Sequence, residues 1–434
     1  MPSTLNILLV GNGGREHALA WKLSQSPLVS QLFITPGNGG TSTLPKATNI
    51  KIPQSSPTDF SPLITFAKEN NIHLLIPGPE QPLVDGITDA FAKEAPEVRV
   101  FGPSKMAAVM EGSKTFSKDF MARHSIPTAS YGNFSNYDEA RTYLEKVWAD
   151  HKVVLKADGL AAGKGVILPQ TLEEAQKALE EIMVSKAFGE AGSSVVIEEL
   201  LEGHEISILS FCDGKVAKSL PPAQDHKRIF DNDEGPNTGG MGTYAPAPSH
   251  IVSKEVLEEV ERTVLAPTLK GMKEEGYPFV GCLFSGYMIT KNGPKVLEYN
   301  VRFGDPETQS LLLLLESDLA EIMLACAEGR LADVELKVSD KSAATVVMAA
   351  GGYPGDYKKG TEMTLSATPE NVQLFHAGTA STDGKLVTSG GRVIASSAVA
   401  DDLKSAIAKA YEGVKVVSFE GMQYRKDIGA RALR

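Results

Sequence analysis

Lys156-Ala157-Asp158-Gly159-Leu160-Ala161-Ala162-Gly163-Lys164-Gly165-Val166 lies between two short apolar runs, Val153 to Lys156 and Val166 to Leu168. Its glycines and lysines first suggest a Walker A loop. The spacing differs, however, Gly165 stands where Ser or Thr is needed, and a strand follows where a helix should begin. A small-residue loop carried between two strands is suited instead to fold over a triphosphate as a lid, contributing amides and the Lys164 charge. Hairpin loops are also glycine-rich for purely conformational reasons, so the loop takes its meaning from its surroundings.

Downstream, Val195 to Leu201 reads as a strand running into a linker, and Glu205 opens the next strand. Such a strand end can offer backbone groups to a purine edge while an acid takes the ribose diol. Lys295 to Asn300 then places Glu298 and Asn300 on one strand face by the two-residue period. Two oxygen ligands on one side suit Mg²⁺, which fills its remaining positions with phosphate and water; an exposed strand face would show the same pattern. Arg302-Phe303-Gly304-Asp305-Pro306-Glu307 packs two acids and a guanidinium into six residues. Arginine grips carboxylate or phosphate through two parallel bonds, although loop ion pairs have this composition too.

Upstream, residues 1 to about 105 alternate apolar runs with helical patterns. Leu5 to Val10, Gln31 to Thr35, His73 to Pro77 and Val98 to Gly102 read as buried strands, with Glu16 to Ser26 and Phe60 to Asn70 as helices. That alternation predicts a parallel sheet covered on both faces, with ligands at its carboxyl-end loops. The first of these loops, Gly11-Asn12-Gly13-Gly14-Arg15-Glu16-His17, presents backbone N–H groups and a helix N-terminus to an anion. It fails as a dinucleotide fingerprint because Glu16 replaces the third glycine, and no ribose-binding acid follows the second strand, where Thr35-Pro36-Gly37-Asn38 stands. A phosphate site survives that failure, and a nicotinamide dehydrogenase is disfavoured by it. His17 is expected to orient the loop rather than to move protons.

From about residue 113 the pattern becomes α+β. Thr171 and Glu174 predict a capping box before the helix Leu172 to Val184. Hairpins are expected around Asp213–Gly214 and Asn292–Gly293, and the tail alternates strands (Ala344 to Ala349, Arg392 to Ser396) with a helix from Asp401 to Tyr411. The 434 residues suggest about three domains. A net charge of −11 argues against sequence-independent nucleic-acid binding, which needs a basic face. Cys212, Cys282 and Cys326 are too few and too scattered for a disulfide framework or a zinc site. The most apolar segment, Leu311 to Leu315, is far short of a membrane span of about 20 residues. A cytoplasmic protein is expected.

Seven motifs, in order, resemble those of the ATP-grasp superfamily and, more narrowly, of the phosphoribosylamine–glycine ligases. They are GNGGREHA, PGNGGT (Pro36 to Thr41), GPE (Gly78 to Glu80), KADGLAAGKGV, QDHKR (Gln224 to Arg228), PNTGGMG (Pro236 to Gly242) and RFGDPE. YRKDIG at Tyr424 to Gly429 is similar to the end of that family's C-terminal domain. The resemblance implies an α/β protein with an N-terminal parallel-sheet (pre-ATP-grasp) domain at 1–112 and an ATP-grasp body at 113–330. Within the body a mobile lid would span about 125–195, and a small α+β domain would follow at 335–434. It implies ligation of glycine to 5-phosphoribosylamine through a glycyl phosphate, with ATP and Mg²⁺ or Mn²⁺. Some eukaryotic members continue into an aminoimidazole ribonucleotide synthetase, and this chain stops where such a junction would fall; one half of a longer chain is therefore an open expectation.

Residue by residue, the resemblance assigns ATP phosphates to Lys114 and Lys156, covered by Gly163, Lys164 and Gly165. Adenine would meet Glu198, Glu199 and the backbone to Leu201, and the ribose would meet Glu205. Glu298 and Asn300 would hold the metal, with Asp305 or Glu307 supporting a second ion. Arg302 would face the glycine carboxylate or the transferring phosphate, and Asp225 the glycine ammonium. The phosphoribosyl group would lie on Asn12, Gly13, Gly14, Arg15, Gly37, Asn38 and Glu80. A different carboxylate substrate is the nearest rival, and a non-catalytic regulator retaining the ATP fold is another. RFGDPE and QDHKR weigh against the first, and the intact Lys114, Lys156, Glu298 and Asn300 against the second.

Overall fold

A computed structural model describes residues 4–160, 165–185, 187 and 189–434. The N-terminal region forms a five-stranded, all-parallel sheet in the order Ala47–Asn49, Val29–Pro36, Leu5–Gly11, Leu74–Pro77, Arg99–Val100. Four of these strands are those expected; the short edge strand Ala47–Asn49 carries no apolar run and was not foreseen. Side chains alternate across the sheet. Leu8 and Leu75 enter one core, while Ile7, Leu9, Leu74 and Ile76 enter another. The second core also takes the helix Gly14–Ser24 and the helices Glu307–Leu314 and Leu319–Glu328. The apolar run at Leu311 is thus the packing centre that ties the RFGDPE stretch to the first helix. Truncating the fully buried Leu312 to alanine would cost about 2–5 kcal/mol.

The next unit is a four-stranded antiparallel sheet ordered Tyr131–Phe134, Val195–Glu199, Val153–Ala157, Val166–Ile167. The helices Tyr137–Trp148 and Leu172–Met183 cover it, and it has its own core around Leu144, Leu155, Leu179 and Ile197. Thr171 caps the second helix through Glu174 N at 3.1 Å. Glu174 returns the bond to Gln170 N at 2.7 Å, one residue earlier than a capping box predicts. The body sheet runs Ala217–Ser219, His204–Asp213, Val280–Thr290, Gly293–Asn300, all antiparallel. Both expected hairpins are present, with Gly214 at φ 84° and Gly293 at φ 98°.

The last large sheet orders Gln224–Asp225, Gly242–Ala245, Ser342–Ala349, Arg392–Ala400 and Val372–His376. Its first two strands come from the middle of the chain and the others from the tail, with the helix Leu403–Val414 packed on them. Close pairing is possible because Gly242 lacks a Cβ, which would lie 2.6 Å from Thr345 O. The QDHKR and PNTGGMG motifs are therefore anchored by the tail. Among the described residues, no helix is long and apolar enough to cross a membrane, and all three cysteines are free and buried.

Candidate functional site

The lid strand Val153–Ala157 delivers Lys156 into the body, where its Nζ donates to Leu297 O at 3.0 Å and pairs with Glu198. Glu198, 3% exposed, also pairs with Lys118. Burial would raise its pKa, but Lys156 and Lys118 outweigh burial and hold it below the usual carboxylate range. The Glu198 carboxylate is thus committed to two lysines. Beside it, Glu199 Oε2 accepts from Ser130 Oγ at 3.1 Å. The N–H groups of Glu199 and Leu200 are bonded to Ser130 and Lys152, whereas that of Leu201 has no partner among the described residues. Lys118 escaped sequence reasoning, since a lysine inside a polar helix looks like any solvated one.

Lys114 opens the helix Lys114–Arg123, and its Nζ donates to Gly159 O at 2.9 Å. Burial, partly opposed by Glu298, lowers its pKa. Asp158 fastens the start of the glycine loop to this helix, accepting from Ser113 Oγ at 3.0 Å and Thr115 Oγ1 at 2.7 Å. Gly163 and Lys164 lie outside the described residues; Gly165 accepts from Ala157 N at 2.8 Å. Glu205 pairs with Lys227, a half-exposed couple at the opening of the body sheet.

Glu298 and Asn300 share a strand face, opposite Gly286 and Phe284. Burial pushes the Glu298 pKa up, but Lys227, Lys156, Lys114 and Arg302 outweigh it and bring it down to about 2. No side chain among the described residues donates a hydrogen bond to this carboxylate. An ionised, unshared carboxylate beside an amide oxygen fits a hard divalent cation that takes its other ligands from phosphate and water. Asn300 Oδ1 already accepts from Arg302 Nη2 at 3.1 Å, which leaves one lone pair.

Arg302 is held on three sides. Nη2 lies 3.1 Å from Glu111 Oε1 and Nε 3.5 Å from Glu80 Oε2, with Asn300 completing the set. Glu111, also missed in the sequence, accepts from Val301 N at 2.7 Å through its other oxygen. Burial raises the Glu111 pKa against the pull of Arg302. For Glu80, Arg302 and Arg15 overcome burial and lower it. Half-buried Asp225 and buried Glu307 form an acid pair in which burial and the Glu307 charge raise the Asp225 pKa, and burial raises that of Glu307.

The first loop meets this cluster directly. Arg15 N donates to Asp305 Oδ2 at 3.2 Å, and its Nη1 to Phe303 O at 3.0 Å. Against burial, Arg392 and Arg15 lower the Asp305 pKa. A Cβ on Gly13 would lie 2.8 Å from Glu16 Oε2, and one on Gly14 2.6 Å from Gln309 Nε2. Glu16 explains why the loop is no dinucleotide cradle. Its carboxylate accepts from Gly13 N at 2.7 Å and fills the space that a Cβ on Gly11 or Gly78 would need. Asn38 is a strut, donating to Asn12 O and to His376 O at 2.9 Å each, while Gly37, at φ 69°, donates to Gly11 O.

His17 joins that strut: its Nδ1 accepts from His376 N at 2.7 Å, so it must be neutral there. Burial lowers His17 to about 3 and His376 to about 4. The unfolded chain binds these protons near pH 6.5 and the folded chain does not, so stability is fully present above pH 6.5 and is lost as pH falls toward those values. Each histidine contributes a slope of up to about 1.4 kcal/mol per pH unit. Urea midpoints from pH 7.5 to 5 should show a steeper acid loss in the parent than in His17→Asn, because subtracting the two cancels the carboxylates. Parallel curves would remove His17 from the titration.

A lid hairpin and a lysine pair facing an acidic strand end define a protein of the ATP-grasp class. Family models described as the N, ATP-grasp (A) and C domains of phosphoribosylglycinamide synthetase match residues 5–111, 112–308 and 343–431. A phosphoribosylamine–glycine ligase of Pasteurella multocida is 50% identical over 431 residues, 99% of this chain and 98% of its own. The bifunctional purine biosynthetic protein PUR2,5 of Pichia angusta is 57% identical over 99% of this chain. The chain spans 54% of that longer protein. The crystal structure of phosphoribosylamine–glycine ligase from Thermotoga maritima superposes with a TM-score of 0.82 at 33% identity, covering 98% of this chain and all of that one. The chain belongs to the phosphoribosylglycinamide synthetase family.

Proposed function

We propose that the chain is an ADP-forming ligase that joins glycine to 5-phosphoribosylamine in the cytoplasm, giving N1-(5-phosphoribosyl)glycinamide and phosphate. The observation that carries this reading is the convergence of Lys114, Lys156 and Lys227 on the ionised Glu298, next to Arg302 and the Asp225–Glu307 pair. Cations gathered there would meet the negative charge of a triphosphate, and the acids would offer a partner to an ammonium. Two-thirds of the chain separates Arg15 from Asp305 in sequence, yet the first loop contacts that acid, so a ribosylamine held on the loop would lie near glycine held at the acids.

A carboxylate is a poor electrophile, so its oxygen first takes the γ-phosphoryl group, a step that depends on positioning and charge neutralisation. Lys114 and Lys156 would hold phosphate oxygens. Glu298 and Asn300 would hold Mg²⁺ or Mn²⁺, which would supply positive charge to offset that of the phosphates. Arg302 would orient the glycine carboxylate, and Asp225 with Glu307 its ammonium. The ribosylamine nitrogen then attacks the acyl carbon and phosphate leaves, with no side-chain nucleophile required. The self-contained core of the lid suits it to close as one body and keep water from the acyl phosphate. Leu201 N–H and the neighbouring backbone would read adenine, with Glu205 at the ribose. The boundaries 1–112, 113–330 and 335–434 are proposed as the working units, although the sheet through Gln224–Asp225 couples the last two.

ADP release measured with glycine and fresh ribosylamine omitted in turn tests the reading. Both omissions should remove most of the signal. Release that is indifferent to glycine, or faster with another carboxylate, would overturn it.

A further inference from the structure

The strand Arg392–Ala400 begins inside the site. Arg392 Nη1 donates to Gly239 O at 2.6 Å, Gly240 O at 3.3 Å and Asp305 O at 2.7 Å, and Nη2 lies 3.5 Å from Asp305 Oδ2. From the same region, Tyr353 OH accepts from Gly239 N at 3.1 Å. Gly239 is therefore held at both its N–H and its C=O by the tail. The approach depends on missing side chains. A Cβ on Gly391 would lie 2.2 Å from the Tyr353 ring, and one on Gly239 2.9 Å from Arg392 Cζ. One on Gly240 would meet Pro306 Cδ at 2.5 Å and Asp225 Oδ1 at 2.8 Å. The gripped turn thus abuts both Asp225 and the Asp305–Pro306 peptide.

We propose that Arg392 and Tyr353 form a clamp that positions the Gly239–Gly240 turn and Asp305 for glycine handling, without a part in ATP binding. It rests on the ligase reading above. A planar guanidinium can span two loops at once, whereas an ammonium presents a single point charge. None of the hydrogen bonds formed by Arg392 or Tyr353 goes to Lys114 or Lys156, so ATP binding should be spared.

Arg392→Lys should lower kcat/KM for glycine by about a hundredfold, a loss of the size expected when a multidentate charged contact is broken. The KM for ATP should stay within about threefold. Tyr353→Phe, which removes one neutral hydrogen bond, should cost up to about tenfold on glycine. Amide exchange in 236–242 should rise in both variants while 153–157 stays as in the parent. Arg392→Lys with parental glycine kinetics, unchanged exchange in 236–242, or equal losses for ATP and glycine would each overturn the clamp. If the parent shows no glycine-dependent ADP release, the ligase reading fails, and the exchange measurement still decides whether the tail positions the turn.

Discussion

Glu298→Ala is expected to reduce turnover by at least about a thousandfold, some 4 kcal/mol of transition-state stabilisation. Four cationic groups face this carboxylate, which their field keeps ionised down to about pH 2. Without it, a metal held there as proposed would lose its charged protein ligand. Lys114, Lys156 and Lys227 also lose the negative charge that balances them, so ATP affinity should fall much less than kcat. Single-turnover ADP formation with nucleotide affinity measured alongside separates the two effects. Because Glu298 is already ionised across the working range, the acid limb of the pH–rate profile should not be its titration. Full rescue by high Mg²⁺ would show that the metal sits elsewhere.

Arg302→Lys should cost about a hundred- to a thousandfold in kcat/KM, about 3–4 kcal/mol, although charge is conserved. The guanidinium meets Glu111, Glu80 and Asn300 from three directions, and lysine can satisfy only part of that set. Glu111 then becomes the difficulty. Burial already raises its pKa, and with Arg302 gone it should take up a proton and loosen its bond to Val301 N. Glu111→Gln should therefore lessen the penalty of Arg302→Lys, and the double variant should be better than the product of the singles. Strict additivity in glycine-dependent rates would mean that the two side chains do not work as a pair.

Repulsion also bears on the first loop. Gly13→Asp would place a third carboxylate next to Glu16, whose Oε2 would lie 2.8 Å from the new Cβ, and near Asp305 Oδ2 at 3.4 Å. Lost activity in such a variant would report a distorted loop as much as a repelled phosphate. From the sequence alone the same substitution looks like a selective probe of the ribosylamine end, because nothing local shows that Asp305 lies against Gly13.

What the sequence determined was whatever depends on short range. Strand alternation puts Glu298 and Asn300 on one face over two residues, and apolar runs bounded by glycine and proline mark four of the five N-terminal strands. Glu16 in place of glycine rules out the dinucleotide loop, and the structure shows its carboxylate filling the space. The ordered motifs carried the family in the same way, each one a local pattern. Only the tertiary structure decided the partners. Glu111 reaches Val301 across 190 residues and pairs with Arg302 beside it, Lys118 and Lys156 share Glu198, and Arg392 arrives from a tail strand whose neighbour, Ser342–Ala349, pairs with the middle of the chain. A lone charged residue has no local signal of what it will face, because its meaning lies in burial and in the opposite charge that burial demands. Those are properties of the packed chain, fixed when the sheets and their cores come together.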